Sequence, residues 1–305
     1  MSDSMYSSMA KDDFNKARSR EILTAILSKL TNRKTDLLSL QDARDILKPK
    51  SENYRGMQTV PISLIVGSEG RYKDFNREFL PKHQHLRSRW ERVDVAYYKQ
   101  INLPPIKLYK LGGVYFVRDG NHRVSVARMQ GVEFVDAEVI ELSSEITIKP
   151  GMTKEELKRE VIKFEKEKFY KATKLDKLRK DCVLNFTAPG RYDDVVEHIN
   201  KHRAFLKEKE NRDVSFEEAM LSWCDNIYKP IVELIRKEKL LSRFYGRTEA
   251  DLYVWIVRHW DELKKKWGEE YPLDEALEDY KNRFAGGFFS RLRDKFKDFI
   301  RRLTE

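Results

Sequence analysis

Residues 106–142 read IKLYKLGGVYFVRDGNHRVSVARMQGVEFVDAEVIEL, and this run decides the fold class. Gly112-Gly113 separates two apolar runs, 106–109 and 114–117. A glycine pair in that place predicts a tight hairpin, because such turns need positive φ. Val114-Tyr115-Phe116-Val117 is β-branched and aromatic without alternation, which predicts a strand buried on both faces. Asn121 is placed to cap a following helix. Val124 and Ala127, and Val126 and Met129, give that helix apolar residues three apart, and Gly131 is expected to end it in the left-handed conformation. Val135, Ala137 and Val139 then alternate with Asp136, Glu138 and Ile140 as a period-two strand. The run is therefore strand, turn, strand, polar loop, helix, strand.

The loop Asp119-Gly120-Asn121-His122-Arg123 is where chemistry is expected. A helix start behind a glycine offers unpaired N–H groups and a dipole that both favour an anion. Arg123 adds a planar fork suited to phosphate oxygens. Asp119 could take a sugar hydroxyl or a magnesium ion beside phosphates, and His122 and Asn121 could donate to a phosphate or a base. The alternative is structural: Asp119 caps the helix or pairs with Arg123, and His122 satisfies a nearby carbonyl.

The pattern P-P-I-x-L-Y-x-L-G-G-x-Y-F-V-x-D-G-N-H-R-V-x-x-A-x-x-x-G resembles the ParB/sulfiredoxin-like domain, over roughly residues 60–142. The resemblance implies an α/β (α+β) nucleotide-binding domain whose loop and helix start hold phosphates, with Gly120, Asn121, His122 and Arg123 as the matching residues. Sulfiredoxins carry a reactive cysteine just before the His-Arg pair; here that position is Asn121, which speaks against their reductase chemistry. ParB proteins usually read Gly-Glu-Arg-Arg. The Asp-Gly-x-His-Arg form is closest to the free serine kinases of this superfamily. The resemblance thus implies ATP or ADP, with CTP open, together with Mg2+ at Asp119.

A second glycine-bearing loop, Gly67-Ser68-Glu69-Gly70-Arg71, follows the apolar run 60–66, read as one strand. If the two loops meet, Ser68 and Arg71 would complete the phosphate cradle. Glu69 or Asp74 would be the carboxylate that accepts a proton from an attacking hydroxyl, with His122 as a further candidate for proton transfer. In the serine-kinase relatives a glutamate after the first strand has such a role, and Glu69 is the matching residue; Asp74 stays open. An ordinary turn is the structural alternative.

At 305 residues the chain can bury a sizeable core, and two domains are expected. A net charge of +10 and a pI near 9.3 favour acidic partners: nucleotide, nucleic acid or an anionic membrane surface. Cys182 and Cys224 have no C-x-x-C spacing and imply neither a disulfide scaffold nor a zinc site. The start MSDSMYSSMAKDD lacks an apolar leader, and no apolar run is long enough to span a bilayer, so a cytoplasmic location is expected.

Residues 12–48 read as two short helices, forming with their flanks a helical N-terminal region, 1–56. The ParB/sulfiredoxin-like domain is expected at 57–150. Within it, residues 75–99 read as broken helix, with Arg87, Arg89 and Arg92 supplying positive charge near the loop or a solvated face. Pro150-Gly151 marks a boundary, and Thr153-x-x-Glu156 is a capping box opening a Lys/Glu-rich helix. A mainly α-helical C-terminal domain is expected at 151–285. In it His198 and His202, four apart, could share a metal, and Thr248 caps a helix. Residues 286–305 hold a basic amphipathic tail that could dock on protein or lie on an anionic membrane.

Two functions follow. One is an enzyme moving phosphate from a nucleotide to a small hydroxylated metabolite, or hydrolysing the nucleotide. The other is a nucleotide-gated regulator or DNA-binding protein without turnover; a homodimer is open under either. A nuclease would need an acidic metal cluster, which the sequence lacks.

Overall fold

The structure is a computed structural model; it describes residues 3–31, 35–237 and 239–267. It divides into two compact units, 1–161 and 162–305. The first contains α1 (Asp3–Thr31), β1 (Leu38–Ser39), α2 (Leu40–Leu47), β2 (Glu52–Pro61), β3 (Ile65–Ser68), α3 (Arg87–Tyr98), β4 (Ile106–Leu111), β5 (Val114–Asp119), α4 (Asn121–Met129) and β6 (Phe134–Leu142). The division falls within α5 (Lys154–Thr173). The second unit continues with α6 (Leu175–Leu178), α7 (Arg191–Glu210), α8 (Phe216–Trp223), a π-helical turn at Cys224–Tyr228, α9 (Lys229–Lys237) and α10 (Glu249–Trp267). The chain is thus mixed α/β, with its strands in the first unit and a helical second unit. Among the described residues no helix is long and apolar enough to cross a membrane.

The 106–142 run folds as its pattern predicts. Gly112 and Gly113 have φ of 60° and 87°, turning β4 into antiparallel β5, and Gly131 lies at φ 72° after α4. All of Val114, Tyr115, Phe116 and Val117 are buried. Tyr115 and Val117 pack with Phe14, Phe75, Phe79, Trp90 and Val124 on one face of the sheet. Val114 and Phe116 pack with Leu40, Ala43, Ile46 and Leu157 on the other. β5 is therefore a central strand between two apolar layers, where an unbroken apolar run belongs.

The six strands run in the order β1-β3-β5-β4-β6-β2. β1, β3 and β5 are mutually parallel, β4 is antiparallel to β5 and parallel to β6, and β2 returns antiparallel along β6. Residues 60–66, read as one strand, are two. The chain leaves β2 at Pro61, makes a short helical turn at Ile62–Leu64 and enters β3, four places away in the sheet. Four residue steps reach at most about 14 Å, whereas four strand spacings in a flat sheet are about 19 Å. The sheet must therefore curl, bringing its β2 edge toward β3. Arg128 fastens this corner: its Nη2 donates to the Ile62 and Ile65 carbonyls at 2.9 and 2.7 Å.

The N-terminal helical region belongs to the same compact unit as the sheet. α1 is one long helix rather than part of two short ones, and it packs Phe14 and Ala17 into the core. Ser39 caps α2, accepting from Asp42 N at 3.4 Å. The Thr153–Glu156 capping box forms: Glu156 N donates to Thr153 Oγ1 at 3.2 Å, and Thr153 N donates to Glu156 Oε2 at 2.8 Å.

Where α1, α3 and α4 meet, Gln130 Nε2 donates to Asp94 Oδ1 at 2.8 Å and Asp13 Oδ2 at 3.1 Å. Asp94 is fully buried, and its Oδ2 has no partner among the described residues. Burial raises its pKa to about 6, against the Gln130 hydrogen bond. Native Asp94 therefore holds a proton between about pH 4 and 6 that the unfolded chain releases, so it favours folding as pH falls and penalises it above 6. Asp94→Asn is expected to stabilise the unit by about 1–3 kcal/mol at pH 7.5, and urea unfolding of variant and parent checks this. At pH 4 the gain should vanish.

The second unit closes around Trp223, Tyr228, Tyr253, Tyr192 and Phe186. Trp223 Nε1 donates to Tyr253 Oη at 2.8 Å. Cys182 and Cys224, read from sequence as implying no disulfide scaffold, form a disulfide with Cα atoms 6.3 Å apart. They are 42 residues apart, and only the packed helices reveal their proximity. His198 and His202 each have a ring nitrogen engaged within the unit: Nδ1 of the first lies 3.1 Å from Tyr253 Oη, and Nε2 of the second lies 2.9 Å from Ser222 Oγ. The tail, 286–305, lies outside the described residues.

Candidate functional site

Parallel β3 and β5 end side by side, with Ser68 opposite Val117. The two loops anticipated from sequence therefore leave the same end of the sheet, and backbone bonds join them: Glu69 N donates to Val117 O at 2.9 Å. Ser68, fully buried, donates to the same carbonyl at 3.3 Å and accepts from Arg71 N at 3.2 Å. Both functions of its hydroxyl are used in tying the loops together, which leaves it no free role as a phosphate ligand.

Gly120 occupies the cap position of α4 at φ 107°. Asn121, expected to cap, is instead the first helical residue. An added Cβ at Gly120 would lie 2.5 Å from Ile106 Cγ2, so the chain passes too close to β4 for any side chain there. The first helical bond runs from Val124 N to Gly120 O at 2.9 Å. The N–H groups of residues 121–123 precede it and are those a helix leaves for an anion.

Arg123 is a staple. Its Nη2 donates to Asp119 Oδ2 at 2.6 Å, and its Nη1 donates to the carbonyls of Pro104 and, at 3.0 Å, Pro105. It thereby holds the proline lead of β4 against the start of α4, as in the structural alternative for Asp119 and Arg123. A phosphate would have to displace these carbonyls to be held by Arg123. Asp119 remains 57% exposed beside it.

Asn121 and His122 are both buried, and Asn121 Oδ1 and His122 Nδ1 have no partner among the described residues. Leaving such groups unpaired costs about 1–3 kcal/mol each, and paired orphans at a helix start are what a bound ligand would relieve. The His122 ring meets Phe75 edge-on, with centroids 5.4 Å apart. Burial first, then the charges of Arg89, Arg71 and Arg92, hold its pKa down at about 4, with Asp74 pulling the other way. The imidazole is neutral at pH 7.

The same shift locates positive charge. Arg71 is exposed and pairs with Asp74 at 2.8 Å. Arg89 and Arg92 are exposed on α3, with no ion pair among the described residues. Trp90 between them donates to Ser125 Oγ of α4 at 2.8 Å, fixing α3 beside the loop. Sequence reading divided Arg87, Arg89 and Arg92 between anion contact and solvated face; Arg89 and Arg92 act on His122, whereas Arg87 pairs with Glu91 at 3.2 Å. Of the two candidate bases, Asp74 is engaged by Arg71, whereas Glu69 is exposed on the loop without an ion pair among the described residues.

Among the described residues no cluster of three His, Cys, Asp or Glu side chains could hold a metal. Asp119 offers a single carboxylate, half engaged by Arg123, so a magnesium ion would have to come with the phosphates that bind it.

The second unit has an open cleft of about 570 Å³, lined by Val183, Tyr228, Lys229, Arg236, Arg247 and Glu249 among others. Its charges are largely satisfied internally. Arg236 makes a fork to Glu249 at 2.6 and 2.7 Å, Lys229 pairs with Asp181 and Asp225, and Arg247 donates to Thr187 Oγ1 at 2.8 Å. The 119–123 loop, with buried polar atoms left over, is the stronger site.

No family model, curated protein or solved structure matches the chain.

Proposed function

We propose that the protein binds a nucleotide through its phosphates at the joined ends of β3 and β5 and transfers a phosphate from it to a small hydroxylated compound. The observation that carries this reading is the unpaired, buried His122 Nδ1 at the start of α4, within the field of Arg89, Arg71 and Arg92; Asn121 Oδ1, an acceptor, would take a sugar hydroxyl or a base amino group rather than a phosphate. The donors fit a polyphosphate: backbone N–H groups, a neutral imidazole, and the guanidinium groups of Arg89 and Arg92, which have no ion pair among the described residues. ATP or ADP is the proposed cofactor, with CTP in the same class and Mg2+ carried on the phosphates. Glu69 takes the proton of the attacking hydroxyl, being the carboxylate on the loop without an ion pair. The ParB/sulfiredoxin-like resemblance supports the same reading, and a cytoplasmic setting is proposed with it, against which the Cys182–Cys224 disulfide counts. In the test, ATP is incubated with the protein and serine, homoserine or glycerol while ADP release is followed. Glu69→Gln should abolish release and leave ATP affinity within about threefold; equal release by the variant would remove Glu69 from the mechanism.

A binding test uses the histidine. A phosphate beside His122 raises its pKa from about 4, so between that value and the bound-state pKa complex formation takes up a proton. Affinity should therefore rise as pH falls from 7 to 5, by at most about tenfold per unit. His122→Gln should flatten the profile.

The net charge of +10 and exposed Arg89 and Arg92 favour a second reading, a nucleotide-gated DNA-binding regulator that could act as a homodimer. Filter binding at varied salt decides: useful affinity with a steep salt slope supports it, and no DNA retention at low salt removes it.

A further inference from the structure

From Ile22 onward α1 turns its large apolar side chains to solvent. Ile22, Leu23, Ile26, Leu27 and Leu30 are 47, 60, 52, 58 and 78% exposed. At about 100° per residue they fall on one face of the helix. The opposite face carries Thr24, Ala25 and Ser28, all part-buried. The first half of the same helix is conventional, with Phe14 and Ala17 in the core. An amphipathic segment held by its small polar side, with its apolar side outward, is a docking surface.

Charge selects the occupant. Between residues 14 and 31 the sole carboxylate is Glu21, which is buried and paired with Arg18 at 2.9 Å. Lys16 is paired with Asp13 at 3.2 Å, and the exposed charges along the stretch without an ion pair among the described residues are Arg20 and Lys29, both basic. A second copy laid on this face would bring cations against cations, with no acid to answer them. A bilayer surface with anionic headgroups would receive both the apolar stripe and its basic border. The chain as a whole carries +10. Its sequence at 286–303 also mixes phenylalanine and leucine with arginine and lysine, with Asp294 and Asp298 among them.

We propose that this protein is a peripheral membrane protein that lies on anionic phospholipid through the outward face of α1, residues 22–30. The leucines and isoleucines enter the boundary of headgroup and acyl chain, and Arg20 and Lys29 meet the phosphates. The proposal does not depend on the nucleotide reading.

The full chain is sedimented with vesicles of phosphatidylglycerol and phosphatidylcholine, or of phosphatidylcholine alone, at low and high salt. Binding is expected to the anionic vesicles only and to weaken with salt. The double variant Leu23→Glu/Leu27→Glu alters two exposed positions and should keep the parent's melting temperature while losing at least tenfold in partitioning. If the variant binds as the parent does, attachment lies elsewhere and the assignment to α1 is overturned. No binding of the parent at low salt overturns it as well. So does a dimer, seen by light scattering, that the variant disperses without any vesicle binding; that result would give the face to a second copy.

Discussion

Gly120→Ala is expected to destabilise the N-terminal unit by about 2–5 kcal/mol, the sum of a left-handed backbone forced on a residue with a Cβ and an overpacked contact. Both causes are local: φ is 107°, and the new Cβ would lie 2.5 Å from Ile106 Cγ2 and 3.0 Å from Ile106 Cβ. Ile106 belongs to the buried layer with Leu108 and Val117 and cannot withdraw without disturbing it. Urea unfolding measures the loss. Gly70→Ala, in the neighbouring loop, is the control: its Cβ would meet nothing within 4 Å, and the change should lie within about 0.5 kcal/mol of zero. Equal effects at the two glycines would mean that the turn into α4 is not the constrained point described above.

The second large effect concerns affinity. Arg89→Ala/Arg92→Ala should weaken nucleotide binding at least roughly tenfold, the equivalent of one lost charged hydrogen-bonded contact, and should leave stability close to the parent's. The two guanidinium groups are exposed and have no ion pair among the described residues, so little in the fold depends on them. Their field on His122 places them at the loop. The same variant should raise the His122 pKa above about 4, which an NMR titration of the imidazole reads independently of any ligand. Unchanged affinity together with a raised pKa would put the phosphates on another side of the loop.

What could be read in the sequence was what short-range chemistry determines. The Gly112-Gly113 hairpin, the apolar β5, the stop at Gly131 and the capping box at Thr153 each depend on neighbours within a few residues, and each forms. The meeting of the two loops was anticipated only as a condition; the parallel pairing of β3 with β5 fulfils it, a contact between segments about 50 residues apart. The roles within the site were less legible. Arg123 has the charge of a phosphate clamp, but it is the carbonyls of Pro104 and Pro105, brought round by β4, that occupy it. Ser68 could be a ligand by type and is a tie by position. The break of 60–66 into two strands follows from the pairing of β2 with β6 and of β3 with β5, which no local pattern encodes. The apolar positions of α1 at 22–30 share a face by periodicity, which fits either core packing or a helical arm that docks a partner; periodicity does not tell which way the face points, and it points to solvent.

The most direct test of the nucleotide site is calorimetric titration of the protein with ATP, ADP, CTP and GTP, each with and without magnesium. Saturable binding of at least one of them, weakened in Arg89→Ala/Arg92→Ala, is the result predicted. Heat indistinguishable from dilution for all of them, from a protein whose folding is verified by its unfolding transition, would contradict the site at the ends of β3 and β5.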